Sequence, residues 1–239
     1  MTERLPDERI RRQFDPHQFL DACHRGFSLF GAGELICPPR REWVDGAKGE
    51  SFHLLMEAEW IGNYKARKRI DELSEISTGR LGQRQAVITL TDLNAERDIE
   101  MDADFVTDMR TGAAAALGLQ YLQIAPPRHL AVIGTGRVAL HAARACDALF
   151  ELERIVATSR RAENRERFAA AVADVARARV ESAPNISRCL EDADAIVAAV
   201  PTPVPVLSKA DLGDRTLVAM GGDSRTQQLA PDVLRELII

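Results

Sequence analysis

The chain has 239 residues, of which 46% are hydrophobic, and this composition predicts a globular protein of one or two domains with an ordinary core. Its formal net charge of −5 gives no reason to expect a nucleic-acid partner or a membrane partner. No secretory leader and no apolar run long enough to span a bilayer is recognisable, so we expect a cytoplasmic protein.

The cysteines and histidines indicate neither a disulfide framework nor a metal site. The four cysteines are Cys23, Cys37, Cys146 and Cys189. They form no C-x-x-C pair and lie in apolar surroundings, so we expect reduced thiols that pack in a core. The five histidines are scattered without metal-ligand spacing, and we expect no bound metal.

The front of the chain predicts an α+β domain. Asp15 followed by Pro16 is typical of a helix start, and apolar residues at helical spacing continue to a glycine stop at Gly31 or Gly33. Extended segments are predicted over residues 51–60, 86–93 and 97–103. A turn at residues 94–96 joins the last two segments into a hairpin.

A helix rich in small residues is predicted over residues 104–123, and it leads to Pro126 and Pro127. This proline pair is the best candidate for a domain boundary. We therefore expect a first domain over residues 1–124 and a dinucleotide-binding domain over residues 125–239.

The most informative stretch, residues 129–147, places a glycine-rich turn between a strand and a helix. An apolar run over residues 130–133 predicts a buried parallel strand. In the G-x-G-x-x-A turn that follows, Gly134 permits the tight turn, and Gly136 lets the backbone approach a pyrophosphate. The helix start offers free N–H groups to the phosphates. The residues expected to contact the cofactor here are Gly134, Thr135, Gly136, Arg137 and Val138.

Strands and helices alternate through the rest of the chain. The predicted strands cover residues 154–159, 178–182, 195–200 and 216–221, and the predicted helices cover residues 163–176, 186–192 and 229–237. Such alternation predicts a parallel sheet with right-handed crossovers and a cofactor at the carboxyl ends of its strands. The predicted fold class is α/β, with a Rossmann-type doubly wound sheet domain preceded by an α+β domain.

The second strand of this domain ends in Thr158, Ser159, Arg160 and Arg161, where an NAD site usually carries an acidic residue. A hydroxyl followed by two guanidinium groups suits a 2′-phosphate, which arginine binds in a bidentate manner. We expect NADP as the preferred cofactor, with NAD as the alternative. The two arginines could instead form only a solvated helix start.

Four segments together resemble the ornithine cyclodeaminase/mu-crystallin family: residues 37–40, 105–122, 132–142 and 217–234. They occur in the family's order and at about its spacing, so the resemblance covers most of the chain. It implies a homodimer whose N-terminal domain binds the substrate and pairs the subunits. It also implies hydride transfer between C4 of a nicotinamide and Cα of a small amino or imino acid.

The resemblance also implies roles for substrate-binding residues. Arg40 and Arg110 match the arginines that hold the substrate carboxylate. Lys65 matches the lysine that contacts this carboxylate and the reacting nitrogen. Arg41 and Lys68 are the alternatives to Arg40 and Lys65, respectively.

Further site residues follow from the same resemblance. Asp223 matches the aspartate in the G-G-D loop of the cyclodeaminases. Thr111 belongs to the segment that faces the cofactor. Additional cofactor contacts are expected at Val200, Thr202 and Met220.

Two features depart from the family pattern. Residues 65–85 are more charged and longer than the loop that follows the family's lysine. The chain also ends at residues 237–239, where the family would begin another strand and return to the first domain. We therefore expect the C-terminal return segment to be missing.

The leading functional expectation is an NAD(P)-dependent oxidoreductase, either a ketimine reductase or an amino-acid dehydrogenase. In it, Arg40 and Arg110 would clamp the carboxylate and Lys65 would assist proton transfer at nitrogen. The alternative is an ornithine cyclodeaminase, in which Asp223 would hold or deprotonate the distal amine. A third reading is a non-catalytic relative that binds NADP.

Overall fold

The computed structural model describes residues 3–46, 51–74, 81–221 and 226–234, and the chain forms two compact units. Unit 1 comprises Met1–Asp15 and Ala22–Thr107, and unit 2 comprises Pro16–Asp21 and Asp108–Ile239. The boundary between the units, after Thr107, therefore falls inside the predicted helix and upstream of the proline pair. The division into a substrate domain over residues 1–124 and a dinucleotide domain over residues 125–239 stays a prediction.

The first part of the chain folds into a seven-stranded sheet and three helices. Its elements are β1 (Glu3–Leu5), α1 (Asp7–Gln13), α2 (Pro16–Gly31), β2 (Leu35–Ile36), β3 (Arg41–Asp45), β4 (Ser51–Trp60), β5 (Tyr64–Ser74), β6 (Leu81–Asp92), β7 (Arg97–Asp102) and α3 (Asp104–Leu122). The strand order is β1-β7-β6-β5-β4-β2, and β3 also pairs with β4. The β1–β7 pair is parallel and the other pairs are antiparallel.

The long strand β5 was not foreseen, because its many charges resemble those of a surface loop. It pairs with β4 on one side and β6 on the other over nearly its whole length. Its charges are accommodated because side chains alternate between the two faces of a strand. One face carries Ile70, and the opposite face carries Arg67 and Arg69, which pair with Glu57 and Asp71.

The two faces of this sheet differ in character. The inner face, defined by Leu54, Ile70 and Ala86 on neighbouring strands, packs with Ala103 into a small apolar cluster. The outer face is the opposite one, and it carries cross-strand ion pairs of exposed or half-buried side chains. Exposed ion pairs of this kind contribute little stability individually, typically about 0–1 kcal/mol each.

The rest of the chain folds into a five-stranded parallel sheet with flanking helices. Its elements are β8 (His129–Ile133), α4 (Arg137–Leu149), β9 (Arg154–Thr158), α5 (Ala162–Ala173), β10 (Arg179–Ser182), α6 (Ile186–Leu190), β11 (Ala195–Ala198), α7 (Lys209–Leu212), β12 (Thr216–Ala219) and α8 (Pro231–Leu234). The strand order is β10-β9-β8-β11-β12, so the winding direction reverses between β8 and β11. This reversal confirms the predicted Rossmann-type doubly wound fold.

The central strands of this sheet are buried on both faces, which explains their continuous apolar runs. Every residue of β11 is buried, as are the last four residues of β8. Two of the four cysteines pack in this unit as predicted, since burial raises the pKa of both Cys146 and Cys189 to about 12. Their thiols are therefore neutral packing groups. The same prediction is wrong for Cys37, which is exposed, and Cys23 is half-buried. No helix in the described ranges combines the length and apolar character needed to cross a membrane.

Helix α3 packs closely on α4 within unit 2, and glycine makes this approach possible. A Cβ added at Gly112 would lie 2.5 Å from the backbone C and O of His141 and 2.7 Å from N of Ala142. One helical turn earlier on each helix, the carboxylate of the buried Asp108 lies 3.3 Å from Nε of Arg137. The crossing therefore aligns this part of α3 with the start of α4.

We expect Gly112→Ala to destabilise the protein by about 1–3 kcal/mol, because backbone atoms of α4 must move to admit the methyl group. Gly26→Ala is the matched control, since a Cβ at this other helical glycine meets nothing within 4 Å. It should be neutral or stabilising by up to about 1 kcal/mol. Denaturant unfolding monitored by circular dichroism measures both changes. Equal stability of the two variants would contradict the tight crossing.

Candidate dinucleotide site

The turn between β8 and α4 requires glycine at its first position. Gly134 has φ +116, and a Cβ there would lie 2.4 Å from the carbonyl oxygen of Ala199. Its N–H donates to the carbonyl of Thr158 at 2.9 Å. The turn is therefore held between the ends of β9 and β11, its two neighbouring strands.

The second glycine of the turn faces open space. Gly136 is the N-cap residue of α4 with φ −84, and a Cβ there would meet no atom within 4 Å. No side chain caps this helix start, which leaves the space before its N–H groups available to an anion. Ala139 is fully buried, as close helix–strand packing requires.

A pair of hydroxyl groups connects the glycine turn to the end of β9. Thr135 Oγ1 donates to Ser159 Oγ at 2.8 Å, which brings together two predicted cofactor residues. The carbonyl of Ser159 accepts a hydrogen bond from Arg165 at 2.7 Å. Below them, the buried Thr158 hydroxyl donates to the carbonyl of Ala183 at 2.9 Å. These bonds hold the β9 end against the turn.

Two exposed arginines directly follow Ser159 in the sequence. Arg160 and Arg161 are both exposed, and Arg161 is the N-cap residue of α5. Within the described part of the chain, neither arginine has an ion-pair partner. Both guanidinium groups are therefore available to an anion near the β9 end.

The remaining predicted cofactor residues of unit 2 lie on α3, α4 and the later strand ends, and the predicted substrate residue Arg110 also lies on α3. Thr111 and Val138 are half-buried, while Arg110 and Arg137 are exposed. Thr111 directly precedes Gly112, the residue at which α3 crosses α4.

Beyond β11 and β12, three more predicted contacts have defined surroundings. Val200 and Met220 are half-buried, and Met220 N–H donates to the carbonyl of Ala198 at 2.7 Å. The Thr202 hydroxyl bonds the backbone of Val204, with its oxygen 2.8 Å from the carbonyl and 3.2 Å from the N–H. Residues 222–225 lie outside the described residues, and Asp223 is among them.

Sequence reasoning missed Gln228, which is 5% exposed. Its side-chain amide donates to the carbonyl of Val200 at 2.7 Å and accepts from the N–H of Gly221 at 3.1 Å. It thus joins the segments that follow β11 and β12. No motif distinguishes this glutamine from the neighbouring Gln227, so only the fold identifies it.

In unit 1, the four candidate substrate residues divide into two pairs according to the face of the sheet on which they make contacts. Lys68 lies between Met56 and Ile88, on the inner face with Ile70, and is half-buried. Lys65 lies on the outer face, where it is 56% exposed and 3.5 Å from the Glu59 carboxylate. The two lysines therefore face opposite sides of the sheet.

The two arginines divide in the same way. Arg40 Nε lies 2.8 Å from the carboxylate of Glu42, whose strand neighbour is Leu54 on the inner face. Arg41 contacts Glu57 at 3.4 Å on the outer face. The inner face thus combines Arg40 with Lys68, whereas Arg41 and Lys65 share the outer face. Among the described residues, no group of three or more His, Cys, Asp or Glu side chains could hold a metal ion.

Curated proteins similar to this chain carry names of amino-acid and imino-acid enzymes. Delta(1)-pyrroline-2-carboxylate reductase 2 of Burkholderia ambifaria is 34% identical over 201 residues, which are 80% of this chain and 60% of that protein. L-lysine cyclodeaminase of Streptomyces rapamycinicus is 30% identical over 164 residues, or 65% of this chain and 46% of that protein. The chain therefore spans less than two thirds of the length of these relatives.

Solved structures share the fold. A Delta(1)-pyrroline-2-carboxylate reductase of Thermococcus litoralis, in complex with NADH and L-proline, has a TM-score of 0.87 at 20% identity, covering 98% of this chain and 74% of that one. An archaeal alanine dehydrogenase dimer with bound NAD has a TM-score of 0.85 at 20% identity, covering 98% and 72%.

The sequence profile described as "Ornithine cyclodeaminase/mu-crystallin family" matches residues 16–239, which include the glycine turn and the helix that packs beside it. This match covers nearly the whole chain. The chain belongs to the ornithine cyclodeaminase/mu-crystallin family.

Proposed function

We propose that the protein is a nicotinamide-dependent oxidoreductase that transfers hydride at Cα of a small imino or amino acid, with imine reduction as the leading reaction. The observation that carries this proposal is the turn at Gly134, held by Ala199 and Thr158 and followed by an uncapped helix start. Family membership supports it, as do three similar proteins named as pyrroline-2-carboxylate reductases.

The residues of unit 2 suit a dinucleotide. The N–H groups at the start of α4 would hold the pyrophosphate, and the open space at Gly136 would admit it. The bound nicotinamide would supply or accept the hydride. The protein contributes orientation, a grip on the carboxylate and control of a proton at nitrogen.

We propose a preference for NADP over NAD. The support is the exposed pair Arg160 and Arg161 beside the Ser159 hydroxyl, at the strand end where an NAD site usually carries a carboxylate. Two guanidinium groups can pair with a dianionic 2′-phosphate, whereas they gain nothing comparable from a 2′-hydroxyl.

For the substrate we propose that Arg40 and Lys68 of unit 1 contact its carboxylate and reacting nitrogen, and the carboxylate-binding role of Arg110 stays a prediction. The shared inner face of Arg40 and Lys68 supports this choice over Arg41 and Lys65. We also propose a homodimer, since the archaeal alanine dehydrogenase of similar fold is a dimer.

A cyclodeaminase is the second candidate, and the similarity to an L-lysine cyclodeaminase favours it. In that reaction the cofactor takes hydride from Cα, the distal amine closes on the imine, ammonia leaves and the hydride returns. The distal amine needs a carboxylate partner, which Asp223 would supply. Asp223→Asn should then abolish cyclisation and spare deuterium exchange between labelled cofactor and Cα. A non-catalytic NADP-binding protein is the third candidate.

Product analysis with each cofactor tests these proposals. The panel contains pyrroline-2-carboxylate, piperideine-2-carboxylate, alanine, ornithine and lysine. Stoichiometric cofactor oxidation with an imino acid supports the reductase. Ammonia and a saturated cyclic amino acid, such as proline from ornithine, without net cofactor change indicate the cyclodeaminase. Tight cofactor binding without turnover indicates a binding protein.

Gly136→Ala should weaken cofactor binding by about tenfold or more while stability changes by less than about 1 kcal/mol. The added methyl group occupies only the space that the pyrophosphate would need. Gly134→Ala should instead destabilise the fold severely, because of its positive φ and the Ala199 carbonyl. Calorimetric titration and thermal melting separate the two effects. Undiminished cofactor binding by Gly136→Ala would exclude phosphates from this turn.

Arg160→Ala and Arg161→Ala should each weaken NADP(H) binding by about 1.5–3 kcal/mol through loss of a charge-assisted contact. NAD(H) affinity should change little. Arg167→Ala is the matched control, because Arg167 is an exposed arginine of α5 whose guanidinium group bonds only Asn164 among the described residues. Titration of every variant with both cofactors measures the effect. Equal parental affinities that neither mutation alters would rule out the 2′-phosphate site.

Lys68→Met should reduce kcat/KM for the best substrate by about a hundredfold, because an amino group near the reacting nitrogen is lost. Lys65→Met removes only an exposed pair with Glu59 and should stay within about twofold of the parent. Cofactor affinity should be unchanged in both. Steady-state kinetics measure kcat/KM for both variants. A larger loss in Lys65→Met than in Lys68→Met would assign the contact with the reacting nitrogen to Lys65.

A further inference from the structure

Gln228 is a buried side chain that hydrogen-bonds the backbone beyond both β11 and β12. Its Nε2 donates to the carbonyl of Val200 at 2.7 Å, and its Oε1 accepts from the N–H of Gly221 at 3.1 Å. A primary amide is suited to this place because it offers a donor and an acceptor side by side. An ionised carboxylate lacks the donor, and an aliphatic side chain lacks both groups.

The backbone around Gln228 is also anchored. Its carbonyl accepts hydrogen bonds from Val206 N at 2.9 Å and Leu207 N at 3.2 Å. The preceding N–H, of Gln227, donates to the carbonyl of Thr202 at 2.6 Å. The amide of Gln228 is thus presented from a defined position, where it joins Val200 to Gly221 just beyond the hydrogen bond from Met220 N to Ala198 O.

The fit against Gly221 is tight. A Cβ added at Gly221 would lie 2.8 Å from Cδ of Gln228 and 3.0 Å from its Oε1. The side-chain amide therefore lies directly against the backbone at this position. Burial makes both hydrogen bonds consequential, because removing the amide leaves a carbonyl and an N–H without this partner.

The position of Gln228 relative to the parallel sheet indicates a role for its two hydrogen bonds. The turn at β8 and the end of β9 suit the pyrophosphate and the adenosine ribose. A dinucleotide crosses the sheet edge where the strand order reverses, between β8 and β11. Its nicotinamide half must then lie toward the ends of β11 and β12, where Gln228 bonds Val200 and Gly221.

We propose that Gln228 is a positioning residue that holds the backbone at Val200 and Gly221 at the spacing required by the nicotinamide half of the cofactor. This inference rests on the proposed function. Gln228 does not itself touch the reacting atoms. Its loss should therefore weaken binding of the complete dinucleotide and leave binding of the adenosine half intact.

The test titrates the parent and Gln228→Ala with two ligands. One is the tighter-binding of NADPH and NADH, and the other is its nicotinamide-free half, 2′-phospho-ADP-ribose or ADP-ribose. Gln228→Ala should bind the complete cofactor about tenfold more weakly and the half within about twofold of the parent. Gln227→Ala is the matched control, because its side chain is exposed, and both affinities should match the parent.

Gln228→Glu gives a readout that a merely destabilised fold would not produce. A protonated carboxyl group can donate to Val200 and accept from Gly221, whereas the ionised form cannot donate. Because the site is buried, desolvation should raise the pKa of the introduced carboxyl group from its usual value of about 4.3 and favour the protonated form at pH 6. The affinity of Gln228→Glu for the complete cofactor should therefore approach the parental value at pH 6. It should fall relative to the parent as the pH rises to 8.5. This variant also serves if Gln228→Ala does not fold.

The outcomes separate the two proposals. A parent chain that binds neither ligand overturns the proposed function, and this inference with it. A parent that binds both overturns the inference alone if Gln228→Ala binds the complete cofactor normally. Equal weakening of both ligands by Gln228→Ala, or a pH-independent Gln228→Glu, also overturns the inference.

Discussion

The approach of Gly134 to the carbonyl of Ala199 is the constraint on which the architecture of unit 2 depends. At this point β8 and β11 lie side by side at the reversal of strand order, and there is no room for a side chain between them. A positive φ then redirects the chain into α4. Because this turn is held between its neighbouring strands, the start of α4 lies at the carboxyl edge of the sheet.

Hydrogen bonds organise the two sides of this edge independently. On one side, Thr135 and Ser159 join the turn to β9. On the other, Gln228 joins the segments beyond β11 and β12. Both sides are held by hydrogen bonds between the protein's own groups, and rigidity of this kind lowers the entropic cost of binding.

Unit 1 shows how strand alternation can decide between chemically equivalent residues. Lys65 and Lys68 are three positions apart on one strand, so their side chains leave opposite faces of the sheet. Arg41 contacts Glu57 on the outer face, whereas Arg40, which directly precedes β3, pairs with Glu42 on the inner face. Charge and spacing along the chain do not distinguish the members of either pair. Their faces are set by the register of β3, β4 and β5.

The sequence by itself determined the local features that depend on few residues. The backbone freedom of glycine predicted the turn, and apolar runs predicted the strands on either side of the point where the strand order reverses. Helix-favouring composition predicted the helix over residues 104–123. Strand and helix alternation was sufficient to predict the doubly wound sheet. The predicted strands over residues 154–159, 195–200 and 216–221 nevertheless continue one or two residues past the observed ends.

Tertiary structure decided what depends on partners distant in sequence. The charged segment after Lys65 becomes β5, since pairing with β4 and β6 satisfies its backbone and its charges divide between two faces. The change of units inside α3 follows from packing on different partners along one helix. Gln228 gains its place only because folding brings Val200 and Gly221 within reach of one amide. Local sequence encodes propensity, but long-range hydrogen bonds and close packing exist only once the chain has folded.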